Sequence, residues 1–167
     1  SKDTKLNNNI FDKLNLLSFS NQLDVSTFID SFDENVEVDI DMLVNTSLCG
    51  DYTKANNILY KSKVSKISAI RICKKFIHKF KIINELLVFL ENGLSIENAI
   101  YKSQIKIFFK EKTFLIKQTQ IWKKHAISQC IKRLIDTEIK CKLYSELDYN
   151  FLENTMIFIH LQTKKSL

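Results

Sequence analysis

Residues 65–93 read SKISAIRICKKFIHKFKIINELLVFLENG, and this stretch decides the fold. Ile67, Ile70, Cys73, Phe76, Ile77, Phe80, Ile83, Leu87 and Leu90 recur three or four residues apart. That period places them on one face of an α-helix, whereas a half-buried strand would alternate every second residue. Ser65 is a candidate N-cap and Gly93 a candidate terminator, so the expected helix runs from about Ser65 to Asn92. Its outward face would carry Arg71, Lys74, Lys75, His78, Lys79 and Lys81.

The same period extends on both sides. Toward the N-terminus, Ile40, Leu43 and Val44 predict a helix from about Asp39 to Leu48. Gly50 suits its left-handed end, and the Asp51 carboxylate can cap the next helix, which runs to about Lys61. Gly50-Asp51 therefore predicts a tight antiparallel helix hairpin. Earlier still, Leu6, Ile10, Phe11, Leu14 and Leu17 mark a helix over 3–18, and Asp24 can cap a short one over 25–31. The acidic run from Asp33 follows and predicts a boundary, with one piece over 1–36 and a larger one over 37–167. Toward the C-terminus, Ser95 caps a short helix, residues 104–109 form a loop or single turn, and helices span about 110–121, 126–144 and 149–162. No strand pair is evident, so the chain is expected to be all-α.

Composition agrees. The 167 residues include no Pro and two Gly, the two types that punctuate loops and β-turns. A hydrophobic content of 45% supports a packed core. The formal charge of +6 is unevenly spread. Residues 1–57 hold four Lys and ten Asp/Glu, a net of −6, and the rest hold 21 basic and nine acidic residues, a net of +12. A basic body suits nucleic acid or an acidic partner, with a solvated surface as the alternative. Cys49, Cys73, Cys130 and Cys141 show no C-x-x-C spacing, and His78, His125 and His160 show no ligand spacing. They predict no metal, and three of the cysteines fall on apolar helical stripes, as reduced cytoplasmic thiols do. No apolar run approaches the ~20 residues of a membrane span. The start, Ser1-Lys-Asp-Thr, shows no signal-peptide pattern and reads as the cut end of a longer protein.

Several stretches together resemble a known family. They are Leu48-x-Gly50-Asp51-x-x-x-Ala55-x-x-x-Leu59; Leu90-Glu-Asn-Gly93 followed by Ser95-Ile-Glu97-Asn-Ala99; Phe108-Phe-Lys110-x-Lys112 with Trp122; and Glu138-Ile-Lys140-Cys-Lys142. In this order and at these spacings, residues 37–167 resemble the helical collar of bacterial clamp-loader delta subunits of DNA polymerase III, in an α-proteobacterial form. Residues 6–36 resemble the end of the preceding lid domain. The chain departs from the family at 105–107, where a Pro is usual. The resemblance implies a helical bundle of collar type behind a lid remnant. It also implies assembly into a pentamer with the gamma/tau and delta prime subunits of the AAA+ loader. The sliding clamp would be engaged through an N-terminal domain outside this sequence, and primed DNA weakly or indirectly. It further implies no ATPase activity in this subunit and no cofactor; ATP hydrolysis and DNA synthesis belong to other subunits of the holoenzyme.

Individual residues carry competing readings. Arg71, Lys74, Lys75 and Lys81 could bind DNA phosphates or form a solvated face. Phe108, Phe109, Phe114 and Trp122 fit a core corner better than base stacking. Tyr144, beside Lys140 and Lys142, could meet an unpaired base or pack at a helix end. Glu138 falls on an inward stripe with Cys130, Ile131, Leu134 and Cys141. Buried there, it requires a cationic partner on a neighbouring helix. No residue offers a catalytic acid–base pair or a Gly-rich phosphate loop.

Overall fold

The computed structural model describes residues 39–103 and 109–166, which fall in one compact unit, Asp39–Leu167. The helices expected over 3–18 and 25–31, the boundary at 36/37, the passage 104–108 with Phe108, and the Phe109 side chain lie outside the described residues. Everything regular among the described residues is helical. α1 covers residues 39–48, followed by α2 (Tyr52–Val64), α3 (Ala69–Glu91), α4 (Ile96–Lys102) and α5 (Phe109–Ile121). α6 (Lys124–Leu143), a 3-10 turn (Ser145–Leu147) and α7 (Asp148–Ser166) complete it. The all-α class expected from the sequence is the observed one.

α3 is the axis of the bundle. It packs most extensively on α6, which in turn packs on α7, and it also touches α4, α5 and α7. Phe76, Phe80, Ile83 and Leu134 are fully buried, as expected, and so is Cys141 but for 2%. Leu87 and Ile131, expected in the core, are only half-buried. The buried face of α3 turns instead through Ile72, Lys79 and Leu86. The cause is that α3 is flanked on two sides. α6 lies on one, and α1 and α5 lie on the other, where Lys75 reaches Asp41 and Lys79 reaches Glu111.

Helix ends follow local chemistry. After α1, Gly50 takes φ +82°, its N–H bonds Ser47 O, and the Asp51 N–H bonds Thr46 O. This is the Schellman arrangement, which satisfies two orphan carbonyls. Asp51 Oδ1 then accepts from the Lys54 N–H at 3.1 Å, capping α2 as expected. α3 ends the same way at Gly93, also at φ +82°, with bonds from Gly93 to Leu90 and from Leu94 to Phe89. Ser95 caps α4 through the Asn98 N–H.

One boundary differs. Ser65 is the C-cap of α2, and Ser68 in extended conformation precedes α3. A third Schellman turn separates them, with bonds from Lys66 to Lys63 and from Ile67 to Ser62. Here Lys66, not glycine, holds the left-handed position at φ +56°. Buried Ile67 anchors the turn, and the Tyr149 hydroxyl donates to its carbonyl at 2.7 Å. Tertiary packing thus imposes a turn for which the sequence carries no glycine.

Candidate functional site

Two surfaces and one buried junction carry the residues singled out above. The junction joins the helix hairpin to the bundle. Trp122 follows α5, is 2% exposed, and donates its indole N–H to Leu48 O at 2.9 Å. Its ring meets Phe80 edge-on, with centroids 4.8 Å apart. Trp122 is thus a core residue, out of reach of a nucleic-acid base. One turn earlier, the fully buried Gln118 donates from Nε2 to Asn45 Oδ1 at 3.1 Å, and its Oε1 has no partner among the described residues. Beyond Gly50, Thr163 of α7 lies 3.8 Å from where a Cβ would stand, and Tyr52 stacks against His160 with centroids 4.7 Å apart. Asn45 and Gln118 carried no sequence signal, since nothing local marks a polar side chain whose partner lies 73 residues away.

The basic face of α3 is smaller than expected. Arg71, Lys74, His78 and Lys81 are exposed, at the three- and four-residue spacing that lines them along one ridge. Lys75 is half-buried and pairs with Asp41 at 3.0 Å. Lys79 does not belong to this face: it is 5% exposed and its Nζ meets Glu111 Oε1 at 2.5 Å. The α5 helix, closing over that side of α3, supplies the carboxylate.

The second surface is the outer side of the α6–α7 hairpin. Lys140 is exposed and pairs with Asp136 at 2.8 Å. Tyr144 caps α6, remains 58% exposed, and leans on Phe151 with centroids 6.3 Å apart. Packing at the helix end therefore describes it, although the ring stays accessible. Glu138 departs from expectation. Its side chain is 16% exposed, and its partner is Lys142 on the same helix, at 2.7 Å, not a cation of a neighbour. The acid lies at the edge of the α3–α6 interface, so a four-residue reach along α6 suffices.

The cysteines are free. Burial, then the nearby Cys141 and Glu138, pushes the Cys73 thiol up to about 12, and burial alone does so for Cys130. Burial also raises Cys49 and Cys141. Such thiols stay protonated near neutral pH and are poor nucleophiles. No group of three or more His, Cys, Asp or Glu among the described residues could hold a metal ion. No helix among them is long and apolar enough to cross a membrane. Comparison with protein-family models, curated proteins and solved structures gives no match for this chain.

Proposed function

We propose that this chain is the C-terminal part of a clamp-loader delta subunit of DNA polymerase III. Its described bundle would act as the collar that joins the subunit to gamma/tau and delta prime in the cytoplasm. The work of such a domain is assembly; nucleotide hydrolysis would lie in other subunits. The observation that carries this reading is the meeting of two stretches on which the resemblance rests. Leu48-Cys-Gly50-Asp51 forms the hairpin turn, and Trp122 closes on it through Leu48 O from 74 residues away. Leu48, Gly50 and Trp122, three of the residues on which the resemblance rests, are thus ones this fold uses at one junction.

A second reading, a free-standing all-α nucleic-acid-binding domain, draws on the Arg71, Lys74, His78, Lys81 ridge. One experiment separates the two. The chain is mixed with the collar domains of gamma/tau and delta prime, and is separately titrated with primed duplex at two salt concentrations. A collar co-purifies with its partners and binds DNA no better than the ~10⁻⁴–10⁻⁶ M of non-specific contacts. Tight DNA binding without partner binding would replace the collar reading with the free-standing one.

A further inference from the structure

We propose that the outer seam between α6 and α7 docks an acidic amphipathic helix of a partner protein. The two helices run antiparallel in a register fixed by three pairs. Gln129 meets Gln162, the Arg133 guanidinium lies 5.6 Å over the Phe158 ring, and Thr137 meets Thr155 at 2.7 Å. One step further, this register sets Lys140 level with Phe151. One wall of the seam therefore carries Arg133 and, seven residues on, Lys140, whose charge is balanced by Asp136. The other carries two rings seven apart, Phe151 and Phe158.

Both rings are half-buried, and apolar surface continues past them. Leu161 is 51% and Ile157 44% exposed, and Leu143, Tyr144 and Leu147 are exposed where the hairpin closes. An antiparallel helix pair edged by exposed apolar residues offers a face on which a third helix packs at about 8–10 Å.

Charge selects the occupant. The acids of α6, Asp136 and Glu138, are each taken by a lysine of α6 itself. Past the first turn of α7 the sole acid is Glu153, and it is drawn away to Lys63 of α2. Arg133 contacts a ring, and Lys165 is exposed with no carboxylate partner among the described residues. The seam thus has surplus positive charge beside an apolar floor. An acidic helix with one apolar stripe satisfies both. A second copy of the chain meeting it seam to seam would set like charges together. Nucleic acid would leave Leu161 and the rings uncovered. The seam has this preference whether or not the chain belongs to a clamp loader.

The test uses the full chain and two labelled, designed peptides of ~20 residues, long enough to form helix. Both share one leucine stripe, flanked by Glu in one and by Lys in the other. Fluorescence anisotropy should show the Glu peptide binding at least ~tenfold tighter than the Lys peptide, with the gap narrowing as salt rises. Leu161→Glu, at an exposed position, should weaken the Glu peptide by about tenfold or more while helical circular dichroism is unchanged. Arg133→Glu should erase or reverse the preference between peptides. Equal binding of both peptides, binding of neither, or indifference to Leu161→Glu would overturn the proposal. So would concentration-dependent dimerisation abolished by Leu161→Glu, which would make the occupant a second copy. Displacement of the Glu peptide by anionic lipid vesicles or primed duplex would overturn it too, pointing to a membrane or nucleic acid.

Discussion

Glu111→Ala should destabilise the bundle far more than Lys79→Met, although the two substitutions break the same ion pair. The asymmetry follows from burial. The Lys79 side chain is 6% exposed and that of Glu111 30%, with Nζ and Oε1 2.5 Å apart. At that separation and an effective dielectric of about 20, the attraction is about 6–7 kcal/mol, and desolvation of the ammonium offsets several of these. Removing Glu111 leaves the ammonium with that cost and no return. Breaking a buried pair from one side costs about 3–5 kcal/mol. Water already reaches Glu111, so about 2–3 kcal/mol is expected, a fall of roughly 4–12 °C in melting temperature for a domain of this size. Lys79→Met instead removes the buried charge, fills the site with apolar volume, and frees a carboxylate that can rehydrate. It should fall within about 1 kcal/mol of the parent. The assay is urea denaturation of both single variants and the double variant, read by circular dichroism at fixed pH and salt. Equal losses from both single variants, or no loss from Glu111→Ala, would refute the reasoning.

Phe80→Ala removes a fully buried ring that Trp122 meets edge-on, and should cost about 3–5 kcal/mol in the same assay; an unchanged midpoint would contradict the assigned core. Glu138→Ala breaks a pair within one helix to a largely exposed lysine, and should cost about 0.5 kcal/mol; a loss above about 2 kcal/mol would mean a second, buried partner. Lys66→Gly relieves a left-handed side chain and should stabilise by about 0.5–1 kcal/mol, while a net loss would show that the turn is unstrained. His160 is held below its ordinary 6.5 by burial and then by Lys164, and its Nδ1 is buried without a partner among the described residues. The folded state therefore prefers the neutral ring. Its contribution is complete above pH 6.5 and is lost as pH falls below 6.5 through the lowered folded value. Denaturation midpoints should decline over that range, and His160→Gln should flatten the decline; equal slopes would remove His160 as the cause.

The hairpin at Gly50-Asp51 and the end of α3 at Gly93 were legible in the sequence because their causes are local. A residue without a Cβ takes a left-handed turn, and a carboxylate three residues before an N–H caps it. The apolar period of α3 was legible for the same reason, and with it the all-α class. The start of α3 was not, because the turn at Lys66 uses a residue that disfavours its own conformation. Buried Ile67 and the Tyr149 hydroxyl, 82 residues away, hold it there. Lys79 looked like its solvated neighbours because three-residue spacing says which face a side chain shares, not which helix will later cover it. The bond between Asn45 and Gln118, the closure of Trp122 on Leu48, and the seam between α6 and α7 had no local signature either. They depend on distances between helices, which are set when all the apolar stripes are buried at once. Sequence by itself determined the helices, their two glycine-ended turns and the excess of positive charge. Only the tertiary structure decided which cations are buried, which remain at the surface, and which apolar residues are left exposed.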